Sequence, residues 1–339
     1  CYRTLCYLTL FGLMVPAARG NAQDKSIDDR AMLGDRVHIG PVITQNLDAW
    51  EERRVQVLEG QIRQLDAQLL VMETADGRTV KIASDRVEQV EVNWSTARAK
   101  AAMELLDRRE YRQAITAIEE ALGQGVPRWE GRFMVEGIIQ SALGLGSPRV
   151  AGIVFLKYLA NASPPSMLYA DMPLCWTAQE IDDQLGAKAR EWLFTDEEHA
   201  QLLGASWLLL GAQAQTAKDA LRKLQASQNR SIAGLAAAQS WRLVPPPQTM
   251  SELSSWTSFR DSLRPPLQLG PTEFIADRLM RVGETDLALG QLMRIVSQHG
   301  DRYHRALPAL DQATQLLERA GRTEAAQRLN EWIERLAKL

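Results

Sequence analysis

Residues 96–122 read TARAKAAMELLDRREYRQAITAIEEAL, and their spacing decides how most of the chain is read. Ala102, Leu105 and Leu106 recur at helical spacing, Asp107–Glu110 is a charged break, and Tyr111, Ala114, Ile118, Ala121 and Leu122 form a second stripe. This predicts two amphipathic helices joined by a tight polar turn. Ala102, Leu105 and Leu106 are committed to packing, which leaves Arg98, Met103 and Glu104 for the other faces.

The pattern recurs near the C-terminus. Phe274–Val282 and Thr285–His299 flank Gly283, while Arg305–Ala320 and Thr323–Leu336 flank Gly321. The phrases VGETDLA and AGRTEAA place Gly283 and Gly321 38 positions apart, a period found in helical repeat proteins. Together these segments resemble tetratricopeptide repeats. Ala102, Ala114 and Ala121 fall where that family keeps small residues between paired helices, and Tyr111 on its usual aromatic. The chain departs from the pattern at Arg98 (a large apolar position), Arg109 (the turn glycine) and Pro127 (one residue late). Asn330 replaces a large apolar residue, as a terminal unit with a wet outer face would.

Before the first repeat the period changes from helical to two. Val37, Ile39 and Val42, then Val55, Val57 and Ile62, Leu69–Glu73, Thr79–Ile82 and Val87–Val92 predict short strands, with Gly60 at the start of one. Asp76-Gly77 predicts a hairpin turn that requires positive φ, and Ser84-Asp85-Arg86 one helical turn before the last strand. This order is similar to small SH3-like or Sm-like barrels, and Glu59–Val90 resembles the SHD1-type domains of planctomycete exported proteins.

Between these regions, further helices are expected over Trp129–Leu143, Pro148–Leu159, Ala178–Phe194, Glu197–Leu210, Thr216–Leu224 and Ile232–Trp241. In the second of them Val150, Ile153, Val154 and Leu156 are expected to face inward. Asn161–Pro173 reads as a Pro- and Ser-rich loop, and Thr177 with Glu180, then Thr195 with Glu198, have capping-box spacing. Leu243–Gln248, with three prolines, must be extended, and Ser251–Leu263 is a lone helix before Pro265-Pro266.

The fold class expected is therefore mainly α, an irregular tetratricopeptide-like α-solenoid preceded by a small all-β SH3-like domain. Its divisions are 1–22 (signal peptide), 23–35 (polar tether), 36–93 (β unit), 94–243 (helical repeats), 244–272 (Pro-rich break with one helix) and 273–339 (C-terminal repeats). The leader rests on Arg3, the apolar run Leu5–Ala18 and the small residues Gly20 and Ala22. The run is shorter than the roughly 20 residues of a spanning helix. It predicts an exported protein, periplasmic or associated with the cell envelope, touching the membrane only if this segment is retained.

A net charge of −3 gives no electrostatic reason to expect nucleic acid, because counterion release needs clustered Lys and Arg. No phosphate-binding glycine loop or nucleophile motif occurs, so no cofactor and no enzymatic activity are expected. Of the histidines His38, His199, His299 and His304, only the last two are close in sequence, and HGDRYH straddles Gly300, which suits an inter-helix loop better than a metal site. Once the leader is removed only Cys175 remains, which has no internal bridging partner and is expected as a small buried hydrophobe. Trp192, Trp207 and Trp241 sit in apolar stripes and are expected in the core.

The resemblance to tetratricopeptide repeats implies a protein or peptide partner bound on the first helix of each pair. The polar positions off the apolar stripes are Arg98, Arg278, Arg281, Gln312 and Gln315, and arginine would meet a partner carboxylate there. The alternative is an enzyme, or an enzyme subunit, acting on cell-envelope polymer. Two acids in one pocket, or Cys175 with a histidine, would mark that reading.

Overall fold

Residues of alternating polarity in the N-terminal region form β1 (Asp35–Ile39), β2 (Gln56–Leu65), β3 (Leu69–Thr74), β4 (Thr79–Ala83) and β5 (Val87–Glu91). They make one antiparallel sheet in the order β4-β3-β2-β1-β5. A computed structural model describes residues 34–41, 55–160, 164–177 and 179–337. The expected leader, almost all of the tether, Val42 and Ala178 lie outside the described residues. Val37, Ile39, Ile62, Leu70, Met72, Val87 and Val90 are buried on the inner face. On the outer face Arg36 binds Glu59 at 2.6 Å and His38 meets Glu91 at 2.9 Å. Gly60 sits in the middle of β2, not at its start. There the strand exchanges β1 for β3 as partner, and a Cβ would lie 2.2 Å from the Glu73 carbonyl.

Ser84–Arg86 forms the expected helical turn before β5. In the β3–β4 turn Gly77 has φ 79°. Gly77→Val is expected to cost about 1–2 kcal/mol, because a β-branched residue resists positive φ. Thermal unfolding checks this, and an unchanged midpoint would contradict it.

Helices α1 (Ala97–Asp107) and α2 (Tyr111–Gly123) form the hairpin read from the sequence. The Thr96 hydroxyl caps α1 by accepting from the Ala99 amide at 3.1 Å, and Ala102, Ala114 and Ala121 are buried at the contact. Arg109 holds the positive φ, 61°, at the turn. Met103 is not on a free face. It is buried beside Ile118 against Gly137 of α3 (Arg128–Gly144), where the missing side chain leaves room for both.

α4 (Pro148–Val154) continues into a π-helical turn, Phe155–Leu159. Its buried residues are Ala151, Gly152, Phe155 and Leu159, whereas Val150 is exposed and Ile153, Val154 and Leu156 are half-buried. The inward face is set by the smallest residues, since a Cβ at Gly152 would lie 2.5 Å from the Trp192 ring.

The stretch expected as a loop is, over its described part, buried between the sheet and the helices. Ser166–Asp171 is a 3-10 turn in which Met167, Leu168, Tyr169 and Asp171 are buried. It touches α3, β5, the Ser84–Arg86 turn and the Pro265–Gln268 turn. One contiguous core joins the inner face of the sheet to the helices and contains Trp192, Trp207 and Trp241, as expected.

The remaining helices are α5 (Asp183–Leu193), α6 (Glu198–Leu208), α7 (Ala214–Leu224), α8 (Arg230–Gln239), α9 (Met250–Ser262), α10 (Leu269–Arg281), α11 (Thr285–Gln298), α12 (Tyr303–Arg319) and α13 (Thr323–Ala337). Neither expected capping box forms. Asp182 caps α5 by accepting from the Leu185 amide at 2.7 Å, and the Thr195 hydroxyl is spent on the Trp192 carbonyl at 3.1 Å. A capping box does form at Thr249 and Glu252. Gly283 and Gly321, with φ 83° and 71°, end α10 and α12. Among the described residues no helix is long and apolar enough to cross a membrane.

The two ends of the helical region meet. Arg109 Nη2 donates to the Leu336 carbonyl of α13 at 2.8 Å, and its guanidinium lies 5.9 Å from the Tyr303 ring of α12. α12 also packs against α3.

Candidate functional site

The densest set of ionisable groups lies where α12 meets α3. Glu136 comes from α3, Asp171 from the buried central turn, and Arg302 from the α11–α12 turn. Arg302 donates from Nη2 to Glu136 Oε1 at 2.9 Å and from Nε to Asp171 Oδ2 at 3.0 Å. Gln140, one turn after Glu136, donates to the same Asp171 oxygen at 2.8 Å. Asp301 lies 3.3 Å from Arg302, and His304 Nε2 lies 3.5 Å from Asp171 Oδ1, too far for a good hydrogen bond. Beside them Arg305 pairs with Glu273 of α10 at 2.8 Å.

Burial sets the protonation states. It pushes Glu136 up to about 8; Arg302 opposes this and the carboxylate of Asp171 adds to it. Burial is the largest influence on Asp171 and would raise it too, but Arg302 together with its other polar neighbours, Gln140 among them, outweighs burial and holds that carboxyl down to about 2. Burial also keeps His299 and His304 neutral, lowering them to about 4 and about 3. The two acids are brought together by the one guanidinium that both accept from. Two buried carboxyls on one cation favour holding one proton between them, because like charges close together oppose a second ionisation. Such a split is what acid–base catalysis uses, but here both side chains are almost wholly covered, at 8% and 1% exposed.

HGDRYH is thus not simply a polar loop. It delivers Arg302 and His304 to the core, with His299 buried beside them. Cys175 is buried as expected, with its thiol donating to the Thr177 carbonyl at 3.2 Å and its sulfur accepting from Arg242 Nη2 at 3.4 Å. Burial raises that thiol's pKa, against the pull of Arg242. Among the described residues no group of three His, Cys, Asp or Glu is placed to hold a metal ion.

A shallow groove of about 320 Å³ runs between the π-helical turn and the α5–α6 hairpin, with Ile153, Leu156 and Trp192 on its floor and Lys157, Lys188 and Glu197 on its rim. Behind it Asn229 donates to the Tyr169 hydroxyl at 2.7 Å, and that hydroxyl lies 2.8 Å from His199 Nε2. Lys188 is paired with Glu191 at 2.6 Å, so the rim has no clear preference for either sign of charge.

The structure separates the five polar positions read from the sequence. Arg98, Arg281, Gln312 and Gln315 are exposed. Arg278 is not available: its guanidinium lies 4.7 Å from the Phe274 ring, and burial lowers its pKa. Arg281 is held by Asp277 at 2.8 Å within its own helix. α10 and α12 each pack against α11, and the Glu273–Arg305 pair joins α10 to the start of α12. No protein-family model, curated protein or solved structure matches this chain.

Proposed function

We propose that the chain is a non-enzymatic, exported scaffold that binds a protein or peptide partner on its helical surface. The observation that carries this reading is the division of its polar groups. The acids able to do proton chemistry are sealed in the core around Arg302, while Arg281, Gln312 and Gln315 stand exposed on α10 and α12, which both pack against α11. Paired helices with small residues at their contacts, and the recurrence of Gly283 at Gly321, support a tetratricopeptide-like, irregular solenoid. The strand order β4-β3-β2-β1-β5, with a helical turn before β5, supports an SH3-like reading of the sheet. Export to the periplasm or cell envelope rests on the leader pattern, and a net charge of −3 argues for protein over nucleic acid as partner.

The test is capture by cross-linking from a native envelope fraction, comparing the parent with Arg281→Glu/Gln312→Glu/Gln315→Glu. Arg278 is left alone because it packs on Phe274. Recovery of the main partner is expected to fall at least about tenfold, the order expected from losing charge-assisted contacts. The same partners at the same yield from a folded variant would place the binding surface elsewhere.

The Glu136–Asp171 pair favours the second reading, an enzyme acting on cell-envelope polymer, because two acids with separated pKa values are the usual acid–base arrangement. Soluble fragments released from purified envelope polymer by the parent, and not by Asp171→Asn, would establish it.

A further inference from the structure

Two carboxyls of the core face one guanidinium. Glu136 and Asp171 both accept from Arg302, at 2.9 and 3.0 Å. The other charged groups of the cluster do not balance the second acid. From the α11–α12 turn, Asp301 adds a further negative charge at 3.3 Å. From α12 and α10, Arg305 and Glu273 neutralise each other. The side chains of His299 and His304 are buried, where the charged form of an imidazole is disfavoured. α1 and α2 turn Ala99, Met103, Leu106 and Ile118 into the core they share with α3, and α4 and the π-helical turn bury Ala151, Phe155 and Leu159. With both acids ionised, the centre would hold an unmatched negative charge away from water, a state that low dielectric makes costly. One proton retained on the pair removes it.

The three groups also lie at a junction. Arg302 precedes α12, Glu136 is on α3, and this is where the C-terminal helices return to α3. Beyond it the two ends also meet through the Arg109 bond to Leu336 and its approach to Tyr303.

We infer that the proton shared by Glu136 and Asp171 is the catch of a latch: with it the helical array is closed between α3 and the α11–α12 turn, and its loss opens the molecule there first. The device is independent of which partner the surface binds. It makes the closed form a property of neutral and mildly acidic surroundings, and it places α3 and the α12–α13 hairpin among the elements released under alkaline conditions.

Hydrogen exchange of the full chain at pH 6 and pH 9, corrected for intrinsic exchange, tests this with Glu136→Gln as the control. Glutamine can donate to Asp171 but does not titrate. In the parent, protection of peptides covering 134–140 and 299–306 is expected to fall at least tenfold between the two conditions, while α5 and α6 keep theirs. In Glu136→Gln both regions are expected to stay protected at pH 9. If that variant does not fold, Asp171→Asn takes its place with the same expectation, because its amide can donate to an ionised Glu136. Unchanged protection of the parent at pH 9, a uniform loss along the chain, or an equal loss in the non-titrating variant would each overturn the inference.

Discussion

Arg302→Met is expected to lower stability by about 3–5 kcal/mol at neutral pH, the usual cost of removing one partner from a buried ion pair. Both acids lose their cation at once, since one guanidinium serves Glu136 and Asp171. The cost should shrink as the pH falls towards 5. Without Arg302 the folded-state pKa of each acid rises, so a second proton binds and neutralises the pair. Arg302→Lys should lie between parent and methionine variant, because an ammonium is a point charge and cannot span two carboxyls in a fixed fork. Chemical denaturation at pH 5 and 7.5 measures all three proteins. A methionine variant as stable as the parent at both values would mean that the cluster holds nothing together.

Gly204→Val is expected to cost about 3 kcal/mol, the upper end for overpacking. Gly204 lies where α6 crosses α5. A Cβ there would stand 2.4 Å from the Leu193 amide nitrogen and 2.5 Å from the Ala189 carbonyl. Both neighbours are backbone, so no side chain can swing aside and the helices must separate. The groove should suffer with the fold, because Lys188 and Trp192 come from α5, and Glu197 and Ala200 from the start of α6. Gly290→Ala in α11 is the control. Nothing lies within 4 Å of its added carbon, so better helix propensity should raise stability by about 0.5–1 kcal/mol. A thermal midpoint for Gly204→Val equal to that of the parent would contradict the close crossing.

The contrast between Gly77 and Gly204 shows what could be read from sequence. Gly77 was legible, because Asp-Gly between alternating strands announces a turn from local chemistry alone. The first hairpin was legible for the same reason, in the period of Ala114, Ile118 and Ala121. Gly204 was not, since its constraint is the backbone of another helix. The central turn was misread because Pro164, Pro165 and Pro173 punctuate it like a loop, and Met167, Leu168 and Tyr169, buried on every side, show no period. The acid pair left no trace, because Glu136, Asp171 and Arg302 are joined only by the fold. HGDRYH was noticed for its histidines, yet Arg302 within it makes the decisive contacts. Arg278 shows the opposite limit. It stands off the apolar stripe in sequence, but the long side chain lies back over Phe274.

The proton on Glu136 also fixes the direction of the pH response. Its folded pKa, about 8, lies above the ordinary 4.5, so its contribution to stability is complete below the ordinary value and is lost as the pH rises through about 8. Between pH 6 and 9 that loss is roughly 2–3 kcal/mol. The most direct measurement is a carbon-13 NMR titration of the glutamate side-chain carboxyls in the parent and in Glu136→Gln. The expected result is one glutamate carboxyl that titrates near pH 8 in the parent and is missing from the variant. If every glutamate titrates below about pH 6, the core holds two ionised acids on one arginine, and a retained proton as the closure of this fold is contradicted.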